Sequence, residues 1–191
     1  MNKLFSIVCF LSKFFFSISA VAYEKSDLAE MQSLAVAGDL KGQFSYAYHL
    51  EDKDHSRAMS WFVRADEHGD PLCEFFVYKM LRDSDFDEAL TWLKKAADHG
   101  FSSAMNELGL NIKRHTNERY TDVNIVKANY LEAASWFRKA SDAGNDEASY
   151  NLGVMYLEGV GVPTDIEQAT SLLRKSGYKG LQLLKSKGLM P

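Results

Sequence analysis

Residues 148–180 read ASYNLGVMYLEGVGVPTDIEQATSLLRKSGYKG, and their periodicity decides the fold. Leu152, Gly153 and Tyr156 follow Ala148 at offsets of four, five and eight; Leu172, Leu173 and Ser176 follow Ala169 at three, four and seven. Those offsets gather side chains on one stripe of an amphipathic helix. Gly159 and Gly161 break the pattern between the stripes, and Asp165 stands where a side-chain oxygen accepts the exposed amides of a helix start. The stretch predicts a first and a second helix joined by a glycine turn, with Gly180 as the stop.

The same pattern recurs three times upstream. The second-helix stripe reappears as Ala58, Trp61, Phe62, Ala65 with Gly69; as Ala89, Trp92, Leu93, Ala96 with Gly100; and as Ala133, Trp136, Phe137, Ala140 with Gly144. All three tryptophans of the chain fall in one column. Asp54, Asp85, Asn129 and Asp165 precede the four stripes as expected N-caps, and Glu88, Glu132 and Gln168 complete expected capping boxes, with Arg57 the exception. First helices align on Gly42, Cys73, Ala104 and Ala148; the small column five residues on is Ala47, Tyr78, Gly109 and Gly153. Alternating small and large columns suit close helix packing, and Tyr78, the one misfit, is expected to widen the packing or turn its hydroxyl to solvent. The segment between the two helices varies most: 3 residues in the first two repeats, 16 in the third (residues 113–128) and 8 in the fourth.

The fourth repeat, with Leu152-Gly153, Tyr156, Gly159-x-Gly161-Val162, Asp165 and Ala169, resembles the Sel-one-like repeat, a relative of the tetratricopeptide class. The resemblance covers residues 40–180 and departs from the family pattern at Leu172, where tryptophan is usual, and in the first three repeats, which lack the Gly-x-Gly-Val turn. It implies an all-α fold, a right-handed superhelical solenoid of about four antiparallel helix-pair repeats, with capping helices at residues 27–37 and 181–184. Repeat stacking buries each apolar face only against neighbours.

Residues 1–22 run from Lys3 through the apolar stretch Leu4–Ile18 to Ala20-Val21-Ala22, the pattern of a secretory signal peptide cleaved after Ala22. Its removal takes away Lys3 and Lys13 and no acid, moving the net charge from −4 to −6 across residues 23–191, the expected mature domain. The expectation is a periplasmic protein, with secretion as the second choice, and no stable membrane insertion once the signal is gone. An acidic chain with 25% charged residues lacks the basic excess of a nucleic-acid binder, and 46% apolar residues exclude a disordered one. Cys73 would be the only cysteine left, which excludes an intramolecular disulfide and matches a small buried residue.

No catalytic motif is present: the sequence has no G-x-S-x-G elbow or phosphate loop, and the acids Asp85, Asp87 and Glu88 mark a helix start. No metal or cofactor is expected, because His49, His55, His68 and His99 lack ligand spacing. Function is therefore expected in protein binding, through loops and first-helix faces not committed to packing. The candidate contact residues are Tyr48, Tyr78 and Tyr150 on first helices, and Arg114, His115, Arg119 and Tyr120 in the third-repeat insert. That insert is either a basic polar patch that contacts an acidic partner, or simply a solvated loop or an early extension of the second helix through Val123 to Ala128. The expected partner is another protein, a secreted effector neutralised by an immunity protein or an envelope complex served by an adaptor. A hydrolase acting on an envelope or β-lactam substrate is the remaining alternative; β-lactam-linked relatives carry paired cysteines in each repeat, and this chain does not.

Overall fold

The computed structural model describes residues 28–66 and 69–190; the signal-peptide assignment and His68 lie outside the described residues. Ten helices and no strand occupy them, an all-α helical repeat solenoid. They divide into two units, residues 28–65 and 66–190.

The first unit holds α1 (Leu28–Val36), α2 (Leu40–Leu50) and α3 (His55–Ala65), each packed on the next. Helix α1 is the expected leading cap. Gly42 lets α2 approach it closely: a Cβ there would stand 2.5 Å from the Leu34 Cβ. Phe62 and Ala58 on α3 are fully buried, and the amide of Arg57 donates to Asp54 Oδ1 at 3.2 Å, so Asp54 caps without a capping box.

The second unit continues with α4 (Pro71–Leu81), α5 (Phe86–Asp98), α6 (Ser102–Arg119), α7 (Val123–Asp142), α8 (Asp146–Glu158), α9 (Ile166–Lys175) and α10 (Tyr178–Ser186), again packed in chain order. Within each of its last two full repeats a glycine of the first helix receives a large side chain of the second. A Cβ on Gly109 would lie 2.8 Å from the Phe137 ring, and one on Gly153 2.8 Å from Leu173 Cγ. Phe137 and Leu173 are completely buried there.

The early extension of the second helix through Val123 is the alternative that forms: α7 begins at Val123, and α6 also runs on to Arg119, the two joined only by Tyr120–Asp122. Three expectations need correction. Asn129 consequently sits inside α7, and the cap is Asp122, whose carboxylate accepts the amides of Asn124 (2.8 Å) and Ile125 (3.4 Å). The capping boxes are only half used. Asp85 and Asp165 accept from Glu88 and Gln168 amides, but their own amides are already taken by Leu81 and Tyr156 carbonyls. Gly180 does not end α9; Gly177 does, with φ +73°, and Gly180 lies buried in α10, where a Cβ would come within 1.9 Å of the Leu173 carbonyl oxygen.

Successive repeats of this unit are tied at one register. The residue before the last small stripe position is Lys95, Lys139 or Lys175. Lys95 Nζ meets Asp66 Oδ2 at 2.5 Å and Glu74 Oε1 at 3.1 Å, while His99 Nδ1 lies 2.9 Å from both Glu74 oxygens. Lys175 uses the equivalent positions two junctions later: it donates to the Ser141 carbonyl at 2.6 Å and to its hydroxyl at 3.2 Å, and that hydroxyl is 2.8 Å from Ser149 Oγ. At the middle junction the corresponding residues are Ala97 and Met105, and Lys139 instead lies over the Trp136 ring at 4.1 Å. Partial burial alone would lower the Lys95 pKa, but its hydrogen bonds and charge pairing with Asp66 and Glu74 hold it above the usual lysine value. Burial first, then the charges of Asp70, Asp66 and Glu74, push the Cys73 thiol well above its usual range, so Cys73 stays protonated and packs as a small apolar residue.

Two outcomes check these assignments by denaturant unfolding. Asp122→Ala should cost about 1 kcal/mol, the usual loss of an N-cap, whereas Asn129→Ala, inside the helix, should be neutral or stabilise by a few tenths because Ala is the better helix former. Lys95→Met should cost about 2 kcal/mol, less than the roughly 3–5 kcal/mol of a wholly buried pair because the lysine side chain is 43% exposed while Glu74 is fully buried. Since the folded Lys95 pKa is raised, that contribution is complete below the ordinary value of 10.5 and falls as pH rises through the folded pKa.

Candidate protein-binding site

The third repeat differs from its neighbours by length. Helix α6 has 18 residues and α7 has 20, against 11 and 13 in the second repeat and 13 and 10 in the fourth. At a rise of about 1.5 Å per residue, the seven residues that α6 adds beyond the Ile112 column lengthen the pair by about 10 Å. No Pro or Gly interrupts residues 110–143, so both helices propagate until the Tyr120–Asp122 turn. The extension is anchored internally: Thr116 is buried and donates to the Ile112 carbonyl at 2.7 Å, and the Tyr130 hydroxyl bonds Asn117 Oδ1.

Around this end the candidate residues part into two groups. Arg114, Arg119 and Tyr120 are exposed, Tyr120 by 44%. His115 packs inward, its ring edge-on to Phe86 with centroids 5.1 Å apart and its Nδ1 3.9 Å from Glu118. Three exposed residues join the first group that the sequence reading did not single out. Val123 (77% exposed), Ile125 (44%) and Leu131 (58%) make this the main concentration of exposed large apolar side chains among the described residues of the second unit. Val123 and Leu131 share one side of α7 and Ile125 lies on another, so no single apolar stripe in the sequence marks the three; their exposure follows from what packs beside α7.

The tyrosines on first helices fare differently from one another. Tyr48, in the first unit, is 50% exposed and stacked with Phe44, centroids 6.4 Å apart. Tyr150 is half-buried, its ring covered by Lys179 Nζ at 4.1 Å. Tyr78 corrects the expectation of an outward hydroxyl: the residue is 3% exposed, its hydroxyl donates to Glu107 Oε1 at 3.1 Å, and it accepts from Asn111 Nδ2 at 3.4 Å. Burial and the Glu107 carboxylate raise its phenol pKa, keeping the donor proton in place despite the opposing Asn111 bond. Tyr78 holds α4 to α6 and offers no contact surface.

Among the described residues no cluster of three or more His, Cys, Asp or Glu is arranged to hold a metal ion. No helix among them is long and apolar enough to cross a membrane. The recess beside α9, lined by Ile166, Glu167, Thr170, Ser171 and Arg174, is open to solvent and gathers no catalytic set.

Comparison with solved structures finds relatives of the same architecture. A Sel1 repeat protein from Oxalobacter formigenes is 26% identical with a TM-score of 0.71 over 86% of this chain and 50% of its own. A protective antigen present in uropathogenic Escherichia coli strains, displaying an SLR fold, is 24% identical with a TM-score of 0.68 over 86% of this chain and 36% of its own. The cysteine-rich protein B of Helicobacter pylori shares the fold at 21% identity and a TM-score of 0.52, over 69% of this chain and 96% of its own. This chain thus spans half or less of the first two. Comparison with curated proteins gives no significant match. The Sel1 repeat profile matches residues 41–70, 80–101, 102–145 and 146–181, repeats that suggest a protein–protein interaction module. The chain belongs to the Sel1 repeat family.

Proposed function

We propose that this protein is an exported, non-enzymatic binding module of the periplasm that grips another protein with the end of its third repeat. The observation that carries the reading is the exposure of Tyr120, Val123 and Leu131 around the helical end of the third repeat, beside the exposed cations Arg114, Arg119 and Lys127, with Ile125 exposed on another side of α7. Apolar and aromatic side chains concentrated at one surface, rimmed by charge, are what protein interfaces use for affinity and orientation. The signal-like residues 1–22 support export. Within this reading the proposed role is that of an immunity protein: occluding a toxic secreted effector needs one well-fitted surface and no chemistry, and the extension is the part of the chain that departs from its repeat.

The test is affinity capture from an envelope extract of the producing cell, with mass spectrometry. Wild-type protein should retain a secreted effector stoichiometrically and suppress its toxicity in a purified assay. Tyr120→Ala combined with Arg119→Ala should lose the effector while unfolding shifts by less than about 0.5 kcal/mol, as surface substitutions do. Tyr78→Phe should do the opposite, costing about 1 kcal/mol through its lost hydrogen bonds and retaining the effector. Retention by the double variant contradicts the site, and capture of a resident envelope complex replaces immunity by the adaptor role.

A further inference from the structure

The extension of the third repeat leaves a step on each side, and only one is filled. On the side of α5, Phe86 at the start of that helix packs against His115 and closes the gap. On the side of α8 the neighbouring turn is Gly159–Pro163, pressed against α7 so closely that a Cβ on Gly161 would lie 2.6 Å from the Tyr130 backbone. Lys127 of α7 and Gly159, Gly161, Val162 and Pro163 of that turn line a recess of about 330 Å³. Val123 and Leu131 flank Lys127 at one turn before and one turn after, on the same side of α7. Both are exposed. Lys127 is exposed as well and takes part in no ion pair among the described residues.

We propose that this step is a docking shelf for a short acidic amphipathic helix of another protein, with apolar side chains against Val123 and Leu131 and a carboxylate on Lys127. The inference rests on the reading of the third repeat as the binding end. Charge selects the occupant. A second copy laid two-fold along α7 would set Lys127 against itself, and residues 1–22 of this chain carry Lys3 and Lys13 with no acid. Both bring like charge to the centre of the stripe, whereas a partner acid supplies the missing counter-charge and sets the register. The length also fits: Val123 to Leu131 spans eight residues, about 12 Å, which matches two turns of a partner helix.

The experiment uses the full chain and two fluorescein-labelled 18-residue alanine–glutamine helices, one with Leu, Glu and Leu at i, i+4 and i+8, the other with Lys replacing Glu. Fluorescence anisotropy should show the Glu peptide binding at least about tenfold more tightly than the Lys peptide, and Lys127→Glu should reverse that order. Val123→Ser with Leu131→Ser should abolish binding of both, with the helical circular dichroism unchanged. Equal affinity for the two peptides, binding of neither, or an order unchanged by Lys127→Glu overturns the proposal. So does self-association of the wild type that Leu131→Ser removes, which would assign the shelf to a second copy. If the peptides fail to discriminate while Tyr120→Ala with Arg119→Ala still loses the captured effector, the shelf falls and the binding function stands; if the effector is retained as well, both fall.

Discussion

Close approach between the two helices of a repeat governs the rest of the molecule. Phe137 can be wholly buried because Gly109 has no side chain in its path, and Leu173 because Gly153 has none. A methyl group at either glycine would overlap its neighbour, so each pair of positions is fixed together. Once these columns are committed, a repeat has few places to differ: its turn, its helix lengths and the polar fastening to the next repeat. The second unit varies all three. Its junctions change from ionic (Asp66, Glu74, Lys95 and His99) to apolar (Ala97, Met105) to hydroxyl-based (Ser141, Ser149 and Lys175) with the register unchanged.

Length variation is where binding capacity enters. Adding two turns to both helices of the third repeat keeps their mutual packing intact while raising surface that the neighbouring repeats cover only in part, Phe86 meeting His115 on one side. A flexible insert of equal size would lose conformational entropy on binding; a helical one has met that cost during folding. The exposed Val123, Ile125 and Leu131 are therefore held by the same packing that buries Phe137 and Ala133 further along α7.

Most of the fold was legible because the stripes, the small columns and the tryptophan column all repeat. The errors lie where a local signal had a rival farther away. Asn129 and Glu132 form an acceptable capping pattern, yet nothing in residues 123–128 breaks a helix, so α7 extends back to the next competent cap, Asp122. Gly180 matched its column by counting, but Gly177 arrives three residues sooner and ends α9 first. Tyr78 breaks the small column because its hydroxyl is held by Glu107 and Asn111, 29 and 33 residues later in the chain, and no local spacing carries that pairing. The basic part of the candidate site, Arg114 and Arg119, was visible from composition. Its apolar part was not: the sequence allows a helix through Val123 to Ala128, but which of its side chains face solvent depends on the repeats packed beside it.

The binding end of the molecule depends on the third-repeat insert being helix on both sides of a short turn. Hydrogen exchange of the full chain across residues 113–128 tests this most directly. Ordered helices predict slow exchange at residues 115–119 and 126–130, comparable with α8, and fast exchange confined to the Tyr120–Asp122 turn and the first amides of α7. Uniformly fast exchange from Lys113 to Ala128 would make the insert a mobile loop, remove the step beside the fourth repeat and contradict the account.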